Sequence, residues 1–312
     1  MKKLLFTLLA LACCVAARAQ LLYEISGNGL RQSSYVIGTY HLAPVSFVDS
    51  IPGLHDALNR SQQVYGELDM KELMSQDVAL KLQRAMMLQG DTTLMTLLTA
   101  EQQARLNAGL RQLVGVDLTN PLIAGQLGKL TPSALLTQLS VLLYMKKRNG
   151  FDPMHPFDNY FQEVATRQGK PVGGFESVDF QINTLFKGQS IERQVQLLLC
   201  FVDNLDFQEA LADEIIGAFF SQSLEGMEQA EDAKLSAECD SRPEEEDMII
   251  YNRNATWAQA MPAIMAERAT FFAVGAAHLP GDRGLLALLR KAGYSVTPVN
   301  AAPVPTPKSE TE

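Results

Sequence analysis

Two stretches of the chain share one pattern of apolar and small residues, although they lie near its opposite ends. They cover residues 35–42 and 271–279. Each has a short run of aromatic, aliphatic and β-branched residues, then a glycine, two further residues and a His-Leu pair. A run of this kind that stops at glycine is typical of a buried strand ending in a turn. The pattern therefore predicts two strands, each followed closely by a histidine, His41 or His278.

The segments that follow the two histidines are also alike. Each contains a loop with Pro or Gly, an amphipathic helix pattern and a further strand pattern. These are predicted at 54–61 and 64–68 in the first unit, and at 285–291 and 295–299 in the second. Ligands of α/β sheets bind at the carboxyl ends of the strands. We therefore expect the two units to bring His41 and His278 together at one edge of a sheet.

The rest of the pattern predicts a hairpin and a long helical segment. Residues 21–30 have the alternating pattern of a strand and lead into a Gly-Asn-Gly turn. A second strand pattern follows at 34–37, as in a β-hairpin. Helical patterns then dominate from about 71 to 254. Within this segment, Thr131-Pro132 opens a helix that is apolar on nearly all sides and is expected to be buried. A short strand is predicted at 170–174.

These patterns together predict the fold class and the domain organisation. We expect an α/β fold whose central sheet is built from two strand-GxxH-helix-strand units at the chain ends, with a large helical insert at about 71–254. A single domain is predicted over residues 20–300. The segment 301–312, rich in Pro, Thr and Glu, is predicted to be a disordered tail.

The first nineteen residues are expected to be a secretory signal peptide. Lys2 and Lys3 precede an apolar run, and an Ala-Arg-Ala cleavage pattern ends at Ala19. The chain is therefore expected to be exported, to a periplasmic or extracellular location. Lipoprotein processing at Cys13 is the less favoured alternative, because the residues before it are a poor match to the signal.

Charge and cysteine content limit the classes of partner. The net charge is −9, which argues against binding to nucleic acid or to an anionic membrane surface. No apolar run after the signal is long enough to span a membrane, so no transmembrane segment is expected in the mature chain. Cys200 and Cys239 would remain after cleavage, and the sequence leaves open whether they form a disulfide or stay as buried thiols. It leaves the oligomeric state open as well.

The chain has only four histidines, and two of them occupy the same place in the repeated motif. Neutral imidazole is a common ligand of divalent metals, so His41 and His278 are candidate ligands. The alternative is that both cap strand ends through hydrogen bonds. His55 and His155 are expected to have surface or local structural roles.

Two glutamates lie at the ends of apolar strand patterns. Glu67 belongs to the strand after His41, and Glu176 ends the short central strand. A carboxylate in a buried strand is costly unless it is paired or bound to a metal. Two histidines with one or two glutamates would suit Zn, Mn or Co with a position left for water. The competing explanation is a buried salt bridge to Arg253, which needs no metal.

The motifs quoted above resemble those of the TraB/PrgY/GumN family, which includes the Tiki metalloproteases. The matching segments are Gly38-Thr39-Tyr40-His41, Gly66-Glu67-Leu68-Asp69, Gly174-Phe175-Glu176-Ser177 and Gly275-Ala276-Ala277-His278, with Asn252-Arg253-Asn254 and Trp257 also typical. The resemblance covers roughly residues 21–300, with Phe175 in place of the usual leucine. It implies a fold related to the erythromycin-esterase and ChaN-like group, and a metal-dependent peptidase activity.

The resulting hypothesis is an exported metal-dependent hydrolase that acts on a peptide or protein. His41, His278 and Glu67 would hold the ion, Glu176 would be a ligand or the general base, and Arg253 would stabilise the oxyanion. The alternative is a non-catalytic envelope protein that binds metal, haem or a peptide in the same cleft. A third hypothesis, suggested by fold kinship alone, is an esterase-like hydrolase with histidine as the base.

Overall fold

The structure is a computed structural model that describes residues 20–73, 75–148 and 150–299. The predicted signal peptide and tail lie outside these residues. The strands are β1 (Leu22–Ser26), β2 (Ser34–Thr39), β3 (Gln63–Leu68), β4 (Val172–Glu176), β5 (Thr270–Gly275) and β6 (Ser295–Pro298). The helices are α1 (Leu54–Arg60), α2 (Met70–Leu73), α3 (Gln76–Ala85), α4 (Leu94–Leu97), α5 (Ala100–Val114), α6 (Pro121–Leu127), α7 (Pro132–Lys147), α8 (Phe157–Arg167), α9 (Val178–Ile182), α10 (Ile191–Asp203), α11 (Leu205–Phe220), α12 (Leu224–Glu231), α13 (Pro243–Glu246), α14 (Asn252–Glu267) and α15 (Leu285–Lys291). Two π-helical turns, Asn183–Lys187 and Asp247–Tyr251, follow α9 and α13.

The six strands form one mixed sheet in the order β4-β3-β5-β2-β1-β6. The four strands from β4 to β2 are parallel, whereas β1 pairs antiparallel with both β2 and β6. The α/β class, the hairpin and both strand-helix-strand units are therefore confirmed. The sheet also contains β4, the short strand predicted at 170–174, beside β3, and β6 pairs with β1; the sequence did not predict these two pairings. The prediction of one domain over 20–300 stays a prediction.

The central strands are buried because their side chains are apolar on both faces. All six residues of β2 are buried, as are the first five of β5. Helix α8 is fixed to this sheet by two kinds of contact. Phe161 stacks on Phe271 at 5.3 Å, and the Gln162 amide donates to the Leu68 carbonyl at 2.7 Å and accepts from the Met70 N–H at 3.0 Å. The middle of α8 is thereby held close to the carboxyl end of β3.

Helices α4 to α7 and α10 surround a second hydrophobic cluster, apart from the sheet. The helix predicted after Thr131-Pro132 is present as α7, and the Thr131 side chain caps it. The prediction that α7 is buried all round is only partly right. Leu135, Leu139 and Leu143 are buried, but Leu142 and Met145 are 41% and 47% exposed. Helix α7 packs against α10 and, less extensively, against α11, and Leu142 and Met145 remain exposed at the margin of these contacts.

Cys200 and Cys239 form a disulfide, which answers a question that the sequence left open. The bond joins α10 to the loop after α12 and closes a segment of 39 residues, with the Cα atoms 5.5 Å apart. Closing a loop of this size restricts the unfolded chain. We expect the double replacement Cys200→Ser with Cys239→Ser to lower the free energy of unfolding by about 2–4 kcal/mol. Urea denaturation would measure this. A reductant should destabilise the wild type and leave the double variant unchanged; equal stability of the two proteins without reductant would contradict the prediction.

The same loop is held by a buried ion pair between Arg193 and Glu245. The guanidinium donates to both Glu245 oxygens at 2.9 Å, and to the carbonyls of Glu238 and Asp240 on either side of Cys239. These contacts lower the pKa of Glu245 to about 2, mainly through the hydrogen bond from Arg193.

This lowered pKa predicts a pH-dependent contribution to stability. A carboxyl whose folded pKa lies below its unfolded value stabilises the fold above the unfolded pKa, near 4.5, and loses this effect as the pH falls towards 2. The contribution is about 3 kcal/mol. Urea denaturation at several pH values should show a smaller fall in stability between pH 5 and pH 2 for Glu245→Gln than for the wild type. Parallel curves for the two proteins would exclude the assignment.

Candidate active site

Four of the predicted site residues lie at or just after the carboxyl ends of neighbouring parallel strands: His41, Glu67, Glu176 and His278. In the sheet, Thr39 at the end of β2 is opposite Gly275 at the end of β5, and Leu68 at the end of β3 is opposite Glu176. His41 and His278 follow β2 and β5 within three residues. The expectation that both histidines lie at one edge of the sheet is therefore confirmed.

The glycines of the two GxxH motifs are explained by close approaches between the strand ends. A Cβ atom on Gly38 would lie 2.9 Å from the Cα of Ala276, which is closer than such atoms approach. A Cβ on Gly275 would lie 3.3 Å from a Glu67 oxygen and 3.4 Å from the His278 ring. One glycine thus lets the two motifs pack together, and the other makes room for the carboxylate and the imidazole.

Arg253 lies at the centre of the site, in the first turn of α14. Its guanidinium donates to Glu67 Oε2 at 2.6 Å and to the two oxygens of Glu176 at 2.8 and 3.0 Å. It also donates to the Ile249 carbonyl, in the π-helical turn, at 3.0 Å. The side chains of Arg253 and Glu176 are 6% and 5% exposed, so the salt bridge that the sequence offered as the competing explanation is present and buried.

The two carboxylates accept further hydrogen bonds from three other groups. The Gly275 N–H donates to Glu67 Oε1 at 2.9 Å, and the Trp257 indole donates to Glu176 Oε1 at 3.0 Å. The Gln181 amide, on α9, donates to both glutamates at 3.2 and 3.1 Å. Burial alone would raise the pKa of Glu67, but Arg253, the two histidines and the Gly275 N–H lower it. Glu67 is therefore ionised at neutral pH.

His278 is buried and is held in one tautomer. Its Nδ1 lies 2.7 Å from Asn254 Oδ1, while the amide nitrogen of Asn254 donates to the Arg283 carbonyl. The amide oxygen therefore faces the ring, so Nδ1 carries the proton and Nε2 carries the lone pair. Arg253 Nη1 is 3.1 Å from this Nε2, which is the geometry of a donor facing a lone pair. Burial lowers the pKa of His278 to about 4, so the ring is neutral at physiological pH.

His41 differs from His278 in both exposure and partner. Its side chain is 71% exposed, and its Nδ1 lies 2.7 Å from Asp158 Oδ2 at the start of α8. The other oxygen of Asp158 accepts a short hydrogen bond from the Thr39 hydroxyl. The charge of Asp158 raises the pKa of His41 to about 9, and Glu67 adds to the effect. The charge of His41 contributes in turn to the lowered pKa values of His278 and Glu67, so the three side chains lie near enough to interact electrostatically.

His41, His278 and Glu67 offer imidazole nitrogens and carboxylate oxygens, which are donor types that suit a divalent metal. Both histidines use Nδ1 for a hydrogen bond, which leaves Nε2 as the ligand atom, and His278 Nε2 lies 3.9 Å from Glu67 Oε1. In their present positions, no three His, Cys, Asp or Glu side chains of the described residues form a metal-binding group. Arg253 would have to release His278 Nε2 before this nitrogen could ligate an ion.

The structure brings four of the five residues predicted for the site into contact and places the fifth, His41, at the same edge of the sheet. His55 and His155, which were expected to be local or superficial, pair with Asp49 and Asp152 on the surface. Sequence reasoning missed the roles of Asp158 and Gln181. Asp158 reads as an ordinary acidic residue at the start of a helix, and Gln181 as a polar residue within one. No local pattern distinguishes either of them.

The comparisons with known proteins agree with the motifs. Two curated proteins match this chain: "Metalloprotease TIKI homolog" from Nematostella vectensis, 24% identical, and "Metalloprotease TIKI2" from Danio rerio, 26% identical. Each match covers 84% of this chain, but the chain spans only 64% and 58% of the length of these relatives. No solved structure gives a significant match.

Among the described residues, no helix has both the length and the apolar character needed to cross a membrane. The family comparison covers most of the chain: residues 21–298 match the TraB/PrgY/gumN family, a span that contains both GxxH motifs, the two glutamates and Arg253. The chain therefore belongs to the TraB/PrgY/gumN family.

Proposed function

We propose that this protein is a metal-dependent hydrolase whose substrate is a peptide or protein. The observation that carries the proposal is the arrangement of the two histidines. Each ring is held through Nδ1 by a side-chain oxygen, of Asp158 or Asn254; His278 Nε2 lies 3.9 Å from an oxygen of the ionised Glu67, and the charge of Glu67 helps to raise the pKa of His41. Outer partners of this kind are what metal-ligating histidines have in proteins.

In this proposal His41, His278 and Glu67 hold the ion, which is Mn, Co or Zn. Such an ion supplies a bound water with a pKa lowered towards about 7 and polarises the substrate carbonyl. Arg253, once it has released His278 Nε2, would keep its positive charge next to the ion, where it would stabilise the oxyanion that forms at the attacked carbonyl. Both oxygens of Glu176 accept hydrogen bonds from Arg253, Trp257 or Gln181, so Glu176 serves to orient Arg253.

Several other features support the proposal. The two relatives are named metalloproteases, and they share the family with this chain. The pattern of residues 1–19 supports export, to the periplasm or the exterior. The kinship of fold with the erythromycin-esterase and ChaN-like group is part of the same proposal, and it rests on the resemblance of the motifs.

The test is a metal titration combined with a cleavage assay. The purified protein would be stripped with a chelator and dialysed against Mn, Co or Zn, and the bound metal measured by elemental analysis. Each form would then be incubated with a peptide library and the products identified by mass spectrometry. We expect stoichiometric metal and cleavage that a chelator stops. Bound metal without cleavage would favour the non-catalytic envelope protein instead, and absence of both would reject the proposal.

A second candidate function is hydrolysis without a metal, with His41 as the general base in its neutral form, which the ring adopts above its pKa of about 9. The observation that favours it is the Asp158–His41 pair in the open cleft, because an aspartate on Nδ1 both orients an imidazole and stabilises its protonated form. Arg253 would again stabilise the oxyanion. Cleavage that persists in the chelator-treated protein would support this candidate over the metal-dependent one.

A further inference from the structure

The contact between His41 and Asp158 differs from the other His–Asp pairs of the molecule. His55 and His155 contact aspartates that are six and three residues away, at 2.8 Å in both cases. Those pairs are local and exposed. Asp158 lies 117 residues from His41 and belongs to a different element of the fold. The His41 pair therefore depends on the tertiary structure.

His41 has few other contacts that could hold its ring in place. With 71% of the side chain exposed, packing does not restrict its rotation. Within the described residues, the one hydrogen bond that its ring makes is the contact with Asp158. His278, by contrast, is 4% exposed and lies against the Trp257 ring at 4.5 Å. An exposed imidazole of this kind needs a hydrogen bond to select its orientation and its tautomer.

Asp158 is itself held rigidly. Its side chain is 19% exposed, and its second oxygen is taken by the hydroxyl of Thr39, the last residue of β2. It lies in the first turn of α8, where the helix dipole favours a negative charge. Phe161 and Gln162 fix α8 to the sheet through the contacts with Phe271 and Leu68. The carboxylate is thus anchored both to β2 and to the helix that packs on the sheet.

We infer that Asp158 is the positioning residue of His41: it keeps the Nδ1 proton in a hydrogen bond and so directs the Nε2 lone pair into the cleft. Thr39 holds the carboxylate in the orientation that this requires. The inference rests on the proposed function in so far as His41 is taken to ligate a metal. Asp158 holds the His41 ring in the same way when no metal is bound.

The experiment compares Asp158→Ala and Asp158→Asn with the wild type and with a matched control, Asp152→Ala. The control removes the aspartate from His155, which makes the same type of contact away from the site. Affinity for Co²⁺ would be measured by calorimetry and by the visible absorption of the bound ion. We expect Asp158→Ala to weaken binding by about 10- to 100-fold and to change the absorption spectrum, since loss of an outer partner has this effect. Asp158→Asn, which keeps an acceptor oxygen, should lose less, and Asp152→Ala should match the wild type.

A measurement without metal separates this inference from the proposed function. Long-range ¹H–¹⁵N NMR recorded above pH 9, where the His41 ring is neutral, should show it protonated at Nδ1 in the wild type, and no longer held in that tautomer in Asp158→Ala. Unchanged Co²⁺ affinity in both Asp158 variants, or a wild-type ring protonated at Nε2, would overturn the inference. If the NMR result is as expected but the wild type binds no metal, the metal-dependent function fails and the role of Asp158 stands.

Discussion

Replacing Arg253 with methionine is expected to lower the free energy of unfolding by about 3–5 kcal/mol. The guanidinium is the shared partner of Glu67 and Glu176, and its removal leaves two carboxylates in a buried site without their counter-charge. Removing one member of a buried ionic network costs more than the network contributes as a whole, because the remaining charge is poorly solvated. Urea denaturation followed by circular dichroism would measure the loss.

The matched control for this variant is Arg283→Met. Arg283 also pairs with an acidic residue, Asp247, and lies over an aromatic ring, that of Tyr251, but its side chain is 56% exposed. We expect its replacement to cost less than about 1 kcal/mol. Combining Arg253→Met with Glu67→Gln and Glu176→Gln should recover much of the lost stability. Equal losses for the two single arginine variants would show that the buried network does not act as described.

Replacing His278 with alanine is expected to abolish stable metal binding and, with it, peptide cleavage. His278 is the neutral imidazole of the site, and its Nε2 faces Glu67 Oε1. Loss of an outer partner already weakens metal binding by about 10- to 100-fold, and loss of a ligand should exceed this. Elemental analysis after dialysis, together with the cleavage assay, would measure both effects.

Two further variants make this result specific. His155→Ala removes an exposed histidine that pairs with Asp152, and it should retain the metal content of the wild type. His278→Gln keeps a polar group opposite Asn254, so it distinguishes the loss of a ligand from the loss of the buried structure. Wild-type metal content in His278→Ala would reject the ligand assignment.

The parts of the fold that could be predicted are those with a local signal. Both strand-GxxH-helix-strand units are visible in the sequence because buried strands, turn glycines and amphipathic helices each have a characteristic period. The order of the strands has no such signal. Strand β6 pairs with β1, and β4 joins the edge of the sheet beside β3. Both pairings depend on packing between distant segments. These pairings were accordingly missed.

The residues of the site likewise divide into those with a local signal in the sequence and those without one. The histidines and Glu67 are conspicuous because polar residues at the ends of apolar strands are rare. Glu176 was predicted as a ligand or general base and Arg253 as the group that stabilises the oxyanion, with a salt bridge to Arg253 as the competing explanation. The structure contains the salt bridge. Asp158 and Gln181 act across 117 and 114 residues, at positions where an acidic or polar residue on a helix is ordinary. Contacts of this range cannot be inferred from one sequence by local reasoning.

The pairing of β2 with β5 has a consequence for the order of events during synthesis. It joins segments that are 236 residues apart, as the bond from the Thr270 N–H to the Ser34 hydroxyl shows. While the ribosome is still translating the central helices, β2 has no partner on its inner side, and the chain holds only one of its two cleft histidines. The nascent polypeptide therefore lacks the second histidine of the candidate site until translation has passed His278, and any product truncated earlier lacks it as well.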